Sequence, residues 1–176
     1  MSVLFSQEGR AAIEALLFVA SEPLSIPTLS KVTHLGEEVV QELLEELQVI
    51  YAGEGRGIQL VQVAQGYQLC TRPEYHIYVE KLLQPVNSKL SRAALECLAI
   101  IAYQQPITRA EIEKIRGVKA DRVLATLLER QLIHTTGRKE TIGRPILYST
   151  TPEFLRLFGL NSLADLPHQT NELNIG

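Results

Sequence analysis

Four histidines and one glycine-rich run are the residues whose types suggest chemistry. The histidines, His34, His76, His134 and His168, share no metal-ligand spacing with each other or with a cysteine. The run from Gly53 to Gly57 lacks the Lys-Ser/Thr pair of a phosphate loop and follows a predicted helix rather than a strand. No Gly-x-Ser-x-Gly nucleophile motif occurs. We therefore predict no enzyme and no catalytic, cofactor-binding or metal-binding residues; a hydrolase is an alternative that rests on the glycine-rich run alone.

Basic residues of the second half form a candidate nucleic-acid surface. Residues 86–176 carry twelve Lys/Arg and nine Asp/Glu, whereas residues 1–85 carry five and eleven. The first half should therefore repel a phosphate backbone, and the second half could tolerate one. The candidate contacts are Lys119, Arg122, Arg138 and Lys139. Solubilising charges are the simpler interpretation, and a winged-helix transcription regulator is the alternative function that DNA contact would support.

A predicted domain corner offers residues suited to binding a protein. Tyr103-Gln104-Gln105-Pro106 closes an apolar helix with an aromatic ring and two amides, and three arginines could surround that corner: Arg109, Arg116 and Arg144. Aromatic residues and arginines are enriched at protein interfaces. The alternative interpretation is that Tyr103 only covers the core.

The elements that would position these residues occur twice. An apolar helix, a Pro-containing turn, a short capped helix and an amphipathic third helix run from Glu14 to Leu47 and again from Glu96 to Leu128. At an offset of 83, the matched pairs are Pro23 and Pro106, Ser25 and Thr108, Leu29 and Ile112, and Lys31 and Lys114. At an offset of 84, the third helices pair Val39, Val40, Leu43 and Leu44 with Val123, Leu124, Leu127 and Leu128. Three helices followed by a hairpin form a winged helix, so we predict an α+β, mainly α fold of two tandem winged-helix domains.

In the first copy, apolar spacing predicts a helix from about Gln7 to Ala20. Ser25 is a good N-cap for helix two, and Val39 belongs to the apolar stripe of helix three. Alternating strands on either side of Gly66 predict a hairpin with this glycine between them. A short helix from about Glu74 to Leu83 should follow.

In the second copy, Thr108-Arg109-Ala110-Glu111 has the form of a capping box, and Leu132–Thr136 and Ile146–Thr150 are predicted strands. A basic wing joins them, and Thr151 should cap a last helix. Beyond Gly159 we expect weak order, although Leu160, Leu163 and Leu166 could still dock. The predicted division is an N-terminal domain over 1–84, a linker over 85–89, a C-terminal domain over 90–160 and a tail over 161–176.

The bulk composition is that of an ordinary globular protein. Apolar residues make up 45% of the 176 residues and charged residues 21%, with a net charge of −3. No apolar run approaches the roughly 20 residues that cross a bilayer, and the N-terminus does not resemble a signal peptide. Two cysteines, Cys70 and Cys97, are too few for a disulfide framework. We therefore expect a cytoplasmic protein without a membrane partner.

The second half resembles a known family. Residues 90–118, LSRAALECLAIIAYQQPITRAEIEKIRGV, are similar to the bacterial segregation and condensation protein B family. The similarity continues through Leu127-Leu128-Glu129-Arg130, Arg144-Pro145 and Phe158-Gly159-Leu160. The first half matches more loosely, in residues 13–20 and Pro23-Leu24, so the resemblance covers about Gln7 to Pro167.

This resemblance implies a non-enzymatic subunit of a bacterial complex of a kleisin and a structural-maintenance-of-chromosomes (SMC) ATPase. Members pair through their N-terminal domains, and the dimer binds the kleisin, segregation and condensation protein A, which bridges the SMC ATPase. The implied process is chromosome condensation and segregation, at the nucleoid, with DNA contacted indirectly or weakly. The kleisin contacts carry over only roughly, to Tyr103, Gln105, Arg109, Arg116, Arg144 and Tyr148. The apolar first helix suits self-association, through Ile13, Leu16 and Leu17.

Overall fold

The computed structural model of the chain describes residues 2–83 and 89–167. The first unit has three helices, a hairpin and a fourth helix; these are α1 (Ser2–Val19), α2 (Ile26–Thr33), α3 (Glu37–Ala52), β1 (Ile58–Val63), β2 (Gly66–Thr71) and, after the 3₁₀ turn Pro73–Tyr75, α4 (His76–Leu83). The second unit repeats this order with one more strand; its elements are α5 (Arg92–Gln104), β3 (Ile107–Thr108), α6 (Arg109–Arg116), α7 (Asp121–Glu129), β4 (Ile133–Arg138), β5 (Ile146–Thr150) and α8 (Pro152–Phe158). This is the predicted mainly α fold, with two helix-turn-helix units that each carry a hairpin.

Each unit has its own apolar core. In the first, α1, α2 and α3 bury one face each, and Ile13, Leu29 and Leu44 are wholly inaccessible. In the second, Cys97 and Ile112 lie at the centre of a core from α5, α6 and α7. The predicted offsets are visible in the packing, because Leu29 and Ile112 are both fully buried at matched positions.

The helix starts follow from local hydrogen bonds. The Ser25 Oγ accepts from the Thr28 backbone N–H at 3.3 Å, which confirms the predicted cap of α2. Both bonds of the predicted capping box are present at Thr108 and Glu111. Ser91 caps α5 and Thr151 caps α8 in the same way. These side chains satisfy backbone donors that a helix leaves unpaired at its first turn.

The sheets hold each hairpin against its helices. Strands β1 and β2 pair antiparallel, with Leu60 opposite Leu69, and a single bridge joins Leu24 to Tyr67. In the second unit the order is β3-β5-β4, with Ile107 opposite Tyr148. The bridge and the short strand occupy the same place in the two copies. The sequence pattern did not predict β3, because two residues are too few to show an alternation.

Some local predictions were wrong. Helix α1 begins at Ser2, five residues before the predicted start. Val39 is 42% exposed and lies outside the buried stripe of α3. Gly66 is not in the hairpin turn; it starts β2, where a Cβ atom would come within 3.0 Å of Pro23, so only glycine fits this close approach. The turn itself is Ala64-Gln65.

The segment after α8 also differs from the expectation of weak order. Residues 163–165 form a 3₁₀ turn with its own capping box from Ser162 and Asp165. Leu160 and Leu166 pack against the second core. The predicted linker lies almost wholly outside the described residues, as does the tail beyond Pro167.

Candidate partner-binding surfaces

The predicted corner is built at the end of α5. The Tyr103 ring is partly exposed, and its hydroxyl donates to the Pro167 carbonyl at 2.8 Å. The Gln105 amide is committed to the fold: its Oε1 accepts from the Thr150 backbone N–H at 2.7 Å and its Nε2 donates to the Ala102 carbonyl at 3.2 Å. Gln105 therefore ties α5 to β5, whereas Tyr103 presents its ring to solvent.

The three arginines do not converge on this corner. Arg109 pairs with Asp121, and its Nε lies 3.9 Å from Glu113, so it links the start of α6 to the start of α7. The Arg116 side chain is only 8% exposed and bonds Glu96 at 3.3 Å, in the first half of α5. A guanidinium that is buried and paired in this way is not displayed to a partner. The expected exposed ring of arginines is wrong for Arg116, because its side chain lies against α5 and pairs with Glu96.

Tyr148 and Arg144 lie on the sheet and on its wing. Tyr148 is partly buried on the central strand, opposite Ile107 and Thr135, and packs against the second core. Arg144 is exposed in the wing, and its backbone is left-handed, with φ at 40°. Of the six candidate kleisin contacts, Tyr103 at the end of α5, Arg109 at the start of α6 and Arg144 in the wing thus keep exposed surface.

Much of the basic wing is occupied by internal contacts. The Lys139 Nζ lies 2.5 Å from the Glu111 Oε1, and the Arg138 guanidinium donates to the Arg144 carbonyl at 3.0 Å. The ion pair with Lys139, helped by hydrogen bonds from Thr108, lowers the pKa of Glu111 to about 2. A lysine held by a carboxylate is a poorer phosphate ligand than an unpaired one.

Lys119, Arg122 and Arg138 are exposed, whereas Lys139 is partly buried. Lys119 stands just before α7, and Arg122 stands in its first turn next to Asp121. The structure thus places two of the four predicted nucleic-acid residues beside α7 and two in the wing, where both make internal contacts.

The expected dimerisation residues are mostly core residues. Ile13 and Leu17 are fully buried among α2 and α3, and Leu16 is partly buried against the same core. Ile13 and Leu17 therefore present no surface to a second chain in this structure, and a role in dimerisation stays a prediction. Helical periodicity identified the apolar face of α1, but that face packs inward.

Two exposed apolar surfaces of the first unit were not predicted from the sequence. Phe18 and Val19 at the end of α1 are 82% and 77% exposed. Val19 also lines a shallow groove of about 670 Å³ between α1 and α2, together with Ala12, Ala15, Leu16, Val32 and Leu35. Helix α4 exposes Tyr78 and Leu82 and has no buried residue. In the sequence, apolar residues on both faces of this short helix were the signal that could have indicated the exposed surface of α4.

Candidate metal ligands and thiols were the groups to compare with the sequence prediction. Among residues 2–83 and 89–167, no three His, Cys, Asp or Glu side chains gather as a metal ion would require. Burial raises the pKa of both thiols, at Cys70 and Cys97, which opposes thiolate formation. In the same ranges, no helix combines the length and apolar character needed to cross a membrane.

Fold and surfaces together define a tandem winged-helix protein whose exposed apolar and aromatic patches suit protein contacts. A family model described as "Segregation and condensation complex subunit ScpB" matches residues 11–169. The chain belongs to this family.

Individual relatives agree along nearly the whole chain. The segregation and condensation protein B of Moorella thermoacetica is 56% identical over 167 residues, covering 95% of this chain and 86% of the relative. That of Desulforamulus reducens is 51% identical, covering 95% and 92%. The crystal structure of ScpB from Mycobacterium tuberculosis is 37% identical, covering 88% and 97%, with a TM-score of 0.43. The family assignment rests on the sequence matches.

Proposed function

We propose that this chain is a non-enzymatic, homodimeric adaptor that binds the kleisin of an SMC complex and supports chromosome condensation and segregation. Membership of the complex-subunit family is the observation that carries the proposal. The partners would be a second copy, the kleisin (segregation and condensation protein A) and, through it, the SMC ATPase. The protein would work in the cytoplasm at the nucleoid, with DNA contacted indirectly or weakly.

Self-association would use the first unit. The exposed Phe18 and Val19 end α1, Val19 lines the apolar groove beside α2, and α4 offers further exposed apolar residues in Tyr78 and Leu82. Exposed apolar patches rimmed by polar residues commonly mark protein interfaces. The net charge of −6 over residues 1–85 further favours a protein partner over nucleic acid for this unit.

Kleisin binding would use the second unit. Tyr103 lines a groove of about 400 Å³ with Gln104, Leu163 and Pro167, an arrangement that offers an aromatic anchor beside apolar walls. Arg109 and the wing residue Arg144 would add charged contacts at the rim. Buried aromatic anchors with polar rims are the usual energetic plan of such sites.

Co-purification with the cognate kleisin fragment tests the assignment of residues. The double variant Tyr103→Ala with Arg109→Glu should weaken the complex at least ten-fold, since an aromatic anchor and a charge are lost together. Arg92→Glu, an exposed charge reversal at the start of α5, is the matched control and should bind normally. Normal binding by the double variant would remove these residues from the interface, and no binding by the wild type would remove the function.

Sedimentation or light scattering tests self-association. Phe18→Glu should shift the chain towards monomer, because a charge would be forced into an apolar contact. Val49→Glu changes an equally apolar, 75% exposed residue of α3 and should leave the dimer intact. Equal behaviour of the two variants would place the dimer surface elsewhere. The proposal of a non-enzyme further expects that the isolated chain binds no nucleotide in equilibrium titration.

A further inference from the structure

The tip of the β1–β2 hairpin docks on the second unit. The Ala64 backbone N–H donates to the Leu160 carbonyl at 2.9 Å, and the Gln65 N–H donates to the Asn161 Oδ1 at 2.9 Å. Both donors belong to the two-residue turn, so the hairpin meets the second unit end-on. A wing in this position is used for a contact within the chain rather than for reaching outward.

The turn that makes this contact is unfavourable on local grounds. Ala64 and Gln65 have φ angles of 48° and 61°, the left-handed pair of a type I′ turn. Such turns favour Asn-Gly, because side chains with a Cβ pay a steric cost in this region. Left-handed residues persist where surrounding contacts hold them. Here the two hydrogen bonds to Leu160 and Asn161 provide that support.

The segment that receives the hairpin is held by its own hydrogen bonds and by apolar packing. The Asp165 carboxylate accepts from the backbone N–H groups of Asn161 and Ser162, both at 2.8 Å. The Ser162 hydroxyl closes the capping box at the Ala164 N–H, and Leu160 and Leu166 anchor the segment on the second core. Residues 160–167, hereafter the strap, therefore form one hydrogen-bonded body rather than a loose extension.

The far end of the strap is held at the corner of α5. The Tyr103 hydroxyl donates to the Pro167 carbonyl at 2.8 Å, and the Tyr103 ring shares a groove with Leu163, Ala164 and Leu166. The strap thus touches the first unit at residues 160 and 161 and the corner at residue 167. One hydrogen-bonded segment, anchored on the second core by Leu160 and Leu166, therefore carries both contacts.

We propose that the strap couples the Tyr103 corner to the docking of the first unit's hairpin, so that displacing Pro167 from Tyr103 releases Ala64 and Gln65. The coupling is a property of the chain alone and does not depend on the identity of any partner. A ligand that competes with Pro167 for the Tyr103 hydroxyl would loosen the contact between the units. A ligand that leaves the hydrogen bond between Tyr103 and Pro167 intact would preserve the orientation of the units.

Amide hydrogen exchange of the full chain, followed by NMR, tests this coupling. Tyr103→Phe removes one hydroxyl at the corner and keeps the ring. The proposal expects exchange at the Ala64 and Gln65 amides to rise roughly two- to five-fold, in line with the loss of one modest hydrogen bond. Amides in the middle of β1 and β2 should keep their wild-type rates. Asn161→Ala, which deletes an acceptor at the near end, is the positive control and should accelerate Gln65 directly.

Tyr148→Phe is the matched control, because it deletes a hydroxyl from the same unit outside the strap. It should leave the Ala64 and Gln65 rates unchanged. Three results would overturn the proposal: unprotected Ala64 and Gln65 amides in the wild type, unchanged rates in Tyr103→Phe, or an acceleration that Tyr148→Phe or the whole hairpin shares.

Discussion

The two units use one frame in different ways. Both bury an equivalent residue of their second helix, Leu29 or Ile112, and both start that helix with a hydroxyl cap, Ser25 or Thr108. Their hairpins differ. The second unit anchors its wing at the base through Lys139 and Glu111, whereas the first unit docks its hairpin by the tip on the strap. A duplicated fold therefore preserves core and caps, while the hairpin contacts and surfaces diverge.

The largest expected difference in stability is between mutations in the third helices of the two units, α3 and α7. Leu44 and Leu128 occupy matched positions, yet Leu44 is fully buried and Leu128 is 36% exposed. Leu44→Ala should cost about 3 kcal/mol of unfolding free energy, and Leu128→Ala about 1 kcal/mol, because the first leaves a cavity. The chain has no tryptophan, so urea unfolding should be followed by far-UV circular dichroism. Equal losses would show that the third helices pack alike.

A smaller difference is expected at the caps. Glu111 matches Thr28 of the first unit, but only Glu111 completes a capping box and also binds the wing. Glu111→Ala should lower stability by about 1.5 kcal/mol, and Thr28→Ala by about 0.5 kcal/mol, since the second keeps the Ser25 cap. The same unfolding measurement compares them. A larger loss at Thr28 would reverse the proposed difference between the caps.

Acid should destabilise the second unit by protonating the Glu111 carboxylate. Its pKa is about 2 in the fold and 4.5 in a model peptide, so its contribution is complete above pH 4.5 and is lost as the pH falls towards 2. The stability difference between wild type and Glu111→Gln should therefore shrink across that range. Unfolding midpoints measured at several acid pH values provide the check. A difference that stays constant would mean that Glu111 keeps an ordinary pKa.

The smallest expected effect is on the affinity of the second unit for duplex DNA. With two of its four candidate cations bonded inside the wing, the second unit should bind duplex DNA only weakly, with a dissociation constant in the non-specific range of about 10⁻⁶ to 10⁻⁴ M. Lys119→Glu with Arg122→Glu should reduce the log–log salt slope by roughly two. Fluorescence anisotropy at several salt concentrations measures both quantities. Tight binding with a sequence preference would favour the transcription-regulator alternative.

The order of helices and hairpins was predictable because the helix caps and the internal repeat indicated the same elements. Ser25, Thr108 and Thr151 were recognisable caps, and the matched offsets placed the third helices. Features that depend on tertiary contact were not predictable. The two-residue strand β3 exists only because β5 lies beside it, and the left-handed turn at Ala64 and Gln65 contains none of the residues typical of that turn.

The candidate site was predicted less well than the fold. Composition singled out Arg116, but an arginine in a sequence does not reveal whether its side chain turns inward to Glu96. Periodicity marked Ile13 and Leu17 as apolar, and the core takes them both. The exposed Phe18 lies one residue further along the same helix, so only the three-dimensional packing distinguishes a core face from a face for a partner.

Light scattering on the full chain, alone and mixed with its cognate kleisin segment, tests the adaptor proposal most directly. The chain alone should have about twice its 19.6 kDa mass, and the mixture should form a single, heavier species. A 19.6 kDa particle that stays separate from the kleisin would contradict both the self-association and the partner that we propose.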